Sequence, residues 1–382
     1  LEDQIQRLLQ EWKPHLVHVN HLLGFTPAIL SLARNAGALT SITLHDYYTI
    51  CDSWNLLDNH NEYCGINEFF DDRCQSCCAL RRSHLRSVDP IRRRVSMSEA
   101  LEHADVVIFP SLFAAEKLCE VMPHLTVTKV IEPRVQHSVS QVNPGAGAEL
   151  NVLIPGNLSV NKGYFELRRI IEQTNDLGLP IKFRVLGRVE AWIEHELAPI
   201  ENVDLLGSYD KSCFMSKAEG TDLALFLSPW PETYCMTFDE WKYTGRPCFY
   251  YKIGALSEAH RQHGLHHASA GFSVEDCDGI LNALIEASTP RGLQQVRESS
   301  NTTQSPSSTN DFGFQHWLLF RDLMNSSMEV PSIRWARCSY VPWANEHENK
   351  VIITPRQRLK SLIYRLPGGH KFAALWRRIR SR

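Results

Sequence analysis

Residues 229–251 read PWPETYCMTFDEWKYTGRPCFYY, and this stretch decides the fold. Before it, residues 223–227 (LALFL) form a short apolar run with the length and flanks of a buried parallel strand. After it, residues 236–244 have the pattern of a helix closed by Gly245, and Arg246-Pro247 opens a further strand over residues 248–251. Glu232 therefore falls in the loop at a strand's carboxyl end. Glu240 stands roughly 6 Å further along the helix, at about 1.5 Å per residue from Met236. In open α/β sheets ligands bind at that edge, where one carboxylate can accept from sugar hydroxyls and the other from a ribose. Taken singly, each glutamate is equally readable as an acid favoured by a helix N-terminus or exposed on a helix surface.

Working outward, the same alternation recurs on both sides. Residues 151–155, 181–186 and 203–206 are strands, with a helix from Tyr164 past Ile171, and this predicts a doubly wound parallel sheet over residues 149–298. Upstream, a helix runs into Pro14. Residues 16–20, 39–44, 106–109 and 127–131 are strands, residues 27–35 a helix, and Ser111 caps another. Residues 1–143 thus form a first lobe, interrupted at about 47–94 by a cysteine-rich and then arginine-rich insertion, and residues 144–147 (PGAG) are expected to be a flexible interdomain stretch. Residues 299–310 make a polar linker, 311–326 an amphipathic closing helix, and 327–382 an extension with a basic tail. The chain starts at Leu1 inside a helical pattern and is expected to be a fragment, its first lobe incomplete at the amino terminus.

Composition narrows the classes. With 43% apolar and 22% charged residues and a net charge of −3, the balance is that of an ordinary globular protein, and no apolar run reaches the roughly 18–20 residues of a membrane helix. The tail is different: Arg356, Arg358, Lys360, Arg365, Lys371, Arg377, Arg378, Arg380 and Arg382 fall there without an acid, interleaved with apolar residues at helical spacing. That is the pattern of an anchor to an anionic membrane surface. No nucleic-acid motif accompanies the charge, so nucleic acid is not an expected partner. Cys51, Cys64, Cys74 and Cys77 are spaced to build a structural zinc site, with reduced, unliganded thiols as the alternative. Arg81, Arg82, Arg86, Arg92, Arg93 and Arg94 make a basic stretch suited to a lipid diphosphate or to anionic headgroups, or else a solvated basic helix.

Gly156-Asn157 through Lys162-Gly163 joins the first strand of the second lobe to its helix, placing backbone N–H groups and an ammonium where a diphosphate would sit. Together with the Glu232/Glu240 pair, this resembles the donor site of family 4 retaining glycosyltransferases. The resemblance spans residues 14–326 and implies two facing Rossmann-like domains, the GT-B arrangement. It implies that Lys162 binds phosphate, Glu232 contacts the donor sugar and Glu240 holds the ribose, while the N–H groups of Tyr234, Cys235 and Met236 cap the diphosphate. His45, ending the strand at 39–44, resembles the family's cleft histidine, and His18 and His21 end a neighbouring strand. Many members carry arginine where this chain has Asn157. The resemblance implies front-face attack with retention, the departing diphosphate oxygen taking the acceptor proton, and no obligatory metal or cofactor. The implied partners are a nucleotide-sugar donor and a glycan or lipid-linked acceptor of cell-surface glycan synthesis, at the cytoplasmic face of a membrane. The opposing reading, drawn from Asn157 and the short first lobe, is a non-catalytic nucleotide-sugar-binding subunit. A GT-B sugar-nucleotide epimerase keeps the fold and changes the reaction.

Overall fold

The structure, a computed structural model, describes residues 1–81, 89–126, 128–133, 142–261, 266–276, 278–298 and 312–327. The first lobe runs α1 (Glu2–Trp12), β1 (Leu16–Val19), α2 (Ile29–Asn35), β2 (Leu39–Thr43), α3 (Arg73–Arg81), α4 (Pro90–Leu101), β3 (Val106–Phe109), α5 (Leu112–Val121) and β4 (Thr128–Val130). Its four strands are parallel in the order β1-β2-β3-β4, with Ile42 beside Val107 and Ile108 beside Lys129. β3 is buried at every position, as a central parallel strand covered on both faces must be. Ser111 caps α5, its hydroxyl accepting from Ala114 N at 3.1 Å, as its place before the helix predicts.

The second lobe continues with β5 (Leu150–Pro155), α6 (Tyr164–Asp176), β6 (Ile181–Leu186), α7 (Ala191–Leu197), β7 (Val203–Gly207), α8 (Phe214–Ala218), β8 (Leu223–Phe226), α9 (Met236–Lys242), β9 (Cys248–Tyr251), β10 (Ala270–Phe272), α10 (Gly279–Ala287) and α11 (Pro290–Glu298). The sheet is parallel in the order β10-β9-β8-β5-β6-β7. The order reverses where β5 pairs with β8, so the loops leaving these two strands diverge around a crevice. One apolar core under α6, α10 and α11 and a second under α8 and α9 cover the two faces of the sheet.

Two expectations change. Residues 144–147 are not a free hinge: Gly145 N donates to Asp222 Oδ1 at 2.9 Å, and Arg297 bonds both Asp222 (Nε to Oδ1, 2.8 Å) and the carbonyl of Gly147 (2.7 Å). Asp222 is fully buried, so its charge requires these donors, and the crossing chain supplies one of them. In the insertion, two of the arginines of the basic stretch turn inward. Arg94, 1% exposed, donates to the carbonyls of Ile50 (3.0 Å) and Phe69 and to Cys74 Sγ (3.2 Å). Arg93 lies 4.2 Å over the Tyr48 ring and reaches Asp52 at 3.6 Å. A segment with little apolar core of its own is thus held by buried guanidinium forks satisfying its carbonyls. Arg92 is exposed, and Arg82 and Arg86 lie outside the described residues.

The last helix, α12 (Phe312–Ser327), returns to the first lobe, where Phe320 packs with Val106, Ile108 and Ile131. The linker at 299–310 and the tail beyond residue 327 lie outside the described residues. Among those described, no helix is long and apolar enough to cross a membrane.

Candidate functional site

Each wall of the crevice between β5 and β8 is built by a loop whose path depends on glycine, within the loop after β5 and packed beneath the loop after β8. Leaving β5, the chain turns at Gly156 (φ +98°), makes a short 3-10 turn over Val160–Lys162 and enters α6 through Gly163 (φ +86°). A Cβ on Gly163 would collide with the carbonyl of Leu227, so only glycine lets this turn lie against the end of β8. Leaving β8, residues 228–235 cross to α9. Gly254 (φ +63°) lies directly under them, and a Cβ there would strike the backbone of Pro231 and Glu232. The Ala255 N–H donates to Glu232 O at 2.7 Å and fixes the loop from below.

These two loops bring Lys162 and Glu232 together, with Lys162 Nζ 2.8 Å from Glu232 Oε2. Glu232 is 4% exposed, and its other oxygen accepts from Ser228 Oγ. Burial opposes the Lys162 charge, but the Glu232 carboxylate outweighs it and holds the ammonium above its ordinary pKa. Lys162 Nζ also lies 5.6 Å from the centroid of the Trp230 ring. The residues to which the resemblance gives separate partners, a phosphate and a sugar, thus neutralise one another across the crevice. Glu240 is also buried, 2% exposed on α9, where Tyr209 Oη donates to its Oε2 at 3.0 Å. Cys235 is the N-cap of α9 and makes no side-chain capping bond, Met236 is 41% exposed, and Tyr234 precedes them in the same loop. Asn157 Oδ1 accepts from Arg188 N at 3.1 Å, which ties its amide to the carboxyl end of β6.

The first lobe meets this loop directly. Thr233 Oγ1 donates to the carbonyl of His45, and Trp230 packs on the first-lobe core with its ring 6.4 Å from, and perpendicular to, that of Tyr47. Glu258 accepts from Phe113 N at the start of α5. The His45 side chain is exposed at the end of β2. Partial burial and the nearby His21 and His316 lower its pKa, with Asp46 opposing them. His21 pairs with Asp46 at 2.9 Å. His18 turns away from the donor loop: its ring is hydrogen-bonded with Ser41 (2.8 Å), Asn20 (3.2 Å) and Thr43 (3.3 Å) and packs against Phe320 of α12. Burial, then the charge of His316, pushes its pKa down to about 4, so His18 is a neutral packing group between β1 and α12.

Cys51, Cys64, Cys74 and Cys77 are half-buried, and among the described residues no group of three or more Cys, His, Asp or Glu stands where it could hold a metal ion. Burial, with the neighbouring thiols adding to it, pushes Cys64 up to about 12 and also raises Cys74, whose sulfur accepts from Arg94.

Sequence reading missed Trp230, Tyr47, Ser228, Tyr209 and His316. The first three lie within five residues of Glu232 or His45 and could have been found by asking what shares their loops. Tyr209 and His316 arrive from distant segments and carried no such signal.

No family profile and no curated protein sequence matches the chain. Among solved structures, a sucrose-phosphate synthase from Thermosynechococcus elongatus superposes with a TM-score of 0.57 at 15% identity, over 85% of this chain and 78% of the other. HepE of Anabaena, in complex with UDP and glucose, gives 0.56 at 15% identity over 85% and 81%. A UDP-forming α,α-trehalose-phosphate synthase from Burkholderia xenovorans gives 0.53 at 12% identity over 85% and 76%. The chain therefore has the GT-B fold, two facing Rossmann-like lobes with the crevice between them.

Proposed function

We propose that the protein is a glycosyltransferase that takes a sugar from a nucleotide-sugar donor, with retention, and passes it to a glycan or lipid-linked acceptor. The observation that carries this reading is the Lys162–Glu232 pair at the switch point of the second sheet, its carboxylate buried and its lysine side chain 38% exposed, with Glu240 on the helix that follows. A diphosphate entering over Gly163 would compete with Glu232 for the Lys162 ammonium. Glu232 would then be released toward sugar hydroxyls, while Lys162 stabilises the charge that develops on the leaving oxygen. The lobes are in contact beside this pair through Thr233 and Trp230. No general base is needed where the departing diphosphate oxygen takes the acceptor's proton. The folds seen with UDP in similar structures support a nucleotide donor.

The basic tail at 356–382 supports a peripheral position on the cytoplasmic face of an anionic membrane, where a lipid-linked acceptor would be presented. Donor turnover tests the reading. Glu232→Ala should lower release of nucleoside diphosphate by about two orders of magnitude or more with the fold intact, and NMR of the product should show the donor's anomeric configuration. Full turnover in that variant, or an inverted product, would contradict it. Nucleotide-sugar binding without turnover in the unaltered protein would favour the non-catalytic subunit.

A further inference from the structure

Two polar atoms at the contact between the lobes are buried without a hydrogen-bond partner: Tyr47 Oη and Trp230 Nε1. They belong to facing side chains, Tyr47 from the segment after β2 and Trp230 from the donor loop, whose rings meet edge to face. Tyr47 is completely buried. Leaving such groups unpaired is costly, and unpartnered buried polar atoms in folded proteins call for an explanation. The replacements that would remove the cost, phenylalanine at 47 and an apolar ring at 230, are chemically simple. Packing alone therefore gives no reason for these two residue types.

Their surroundings supply one. Trp230 stands two residues before Glu232, and its ring lies beneath the Lys162 ammonium. Burial, with Tyr63, Glu232 and Glu258 adding to it, holds the Tyr47 hydroxyl protonated, its pKa well above the ordinary value. Trp230 Nε1 can only donate, and a phenol that stays protonated has an O–H to donate. Glu232 can only accept, and its charge is already matched by Lys162. A ligand that satisfies all three must both accept and donate and needs no charge of its own. A sugar hydroxyl does this: it accepts from Trp230 Nε1 or Tyr47 Oη and donates to Glu232.

We infer that Tyr47 and Trp230 are sugar-binding residues, donating to hydroxyl oxygens of the neutral sugar that Glu232 contacts from the other side. The inference rests on the donor-site reading given above. Because Tyr47 comes from the first lobe and Trp230 from the second, the sugar is held by both, and its recognition depends on the lobes being in contact. The nucleotide is held by the second lobe alone.

Calorimetric binding of UDP and UDP-glucose, GDP and GDP-mannose, and ADP and ADP-glucose to the full chain separates these contributions, repeated with Tyr47→Phe and Trp230→Phe. In each variant the nucleoside diphosphate should bind as it does to the unaltered protein, and its nucleotide sugar about fivefold more weakly. Tyr47→Phe should not lower the melting temperature, because it removes an unpaired buried group. Nucleotide-sugar affinity unchanged in both variants would overturn the inference alone, as would an equal loss for the bare diphosphate, which would place these atoms elsewhere than at the sugar. If the unaltered protein bound none of the six compounds, the donor-site reading would fail and the inference with it.

Discussion

Lys162, Glu232 and Glu240 were legible as residues because their types and spacing suit the loops that leave β5 and β8. Their mutual arrangement was not. That Lys162 bonds Glu232 at 2.8 Å depends on β5 lying beside β8, and strand order is a property of the sheet that no local pattern carries. Histidines show the same limit: His18 and His45 end neighbouring strands, yet only the return of α12 decides that His18 is a packing group. A pH measurement tests this. His18 titrates at about 4 in the folded protein against 6.5 as a free group, so the unfolded chain binds more protons between those values. Its contribution to stability is complete above about pH 6.5 and is lost as pH falls toward 4, by up to about 3 kcal/mol. His18→Gln should flatten the fall in urea midpoint across that window. An unchanged acid slope would show that His18 is protonated in the native state.

At the scale of elements, the strands and helices read from periodicity are present, with ends displaced by one or two residues where fraying or a cap decides the boundary, while β10 and the helices α3, α4, α7, α8, α10 and α11 were not read from the sequence. The second lobe was clearest, because every β-to-α alternation there is short and regular. The insertion at 47–94 was least clear. Its order comes from Arg94 reaching three separate segments, which no spacing of cysteines or arginines indicates. The phosphate-side turn offers a sharp test through two glycines that share left-handed backbone. Gly163 (φ +86°) would press a Cβ into the carbonyl of Leu227, whereas Gly178 (φ +63°) has nothing within 4 Å. Gly178→Ala should cost only about 1 kcal/mol, the backbone term alone. Gly163→Ala should cost roughly 3 kcal/mol or more, because a strand end must move. Chemical denaturation of the two variants measures the difference, and equal losses would mean that the turn does not rest on β8.

For the whole molecule, the two-lobed plan was evident from the repeated alternation, but the joint between lobes was not. Residues 144–147 have the composition of a hinge and are pinned through Asp222 and Arg297, and the lobes touch through Thr233, Trp230 and Glu258, none of which has a periodic signature. The basic tail adds an expectation at this scale. Removing residues 356–382 should weaken binding to anionic vesicles in cosedimentation by about a hundredfold or more at physiological salt, since each basic residue near such a surface contributes about 1 kcal/mol. Unchanged sedimentation would discard the anchor. The central claim is that the crevice between β5 and β8 holds a nucleoside diphosphate, and its most direct test is thermal stabilisation by UDP, GDP and ADP. At a hundred times its dissociation constant a bound nucleotide adds about 2.7 kcal/mol. We predict a shift with one of the three nucleotides that is lost in both Lys162→Ala and Glu240→Ala. A shift that survives both substitutions, or none with any nucleotide, would contradict the account.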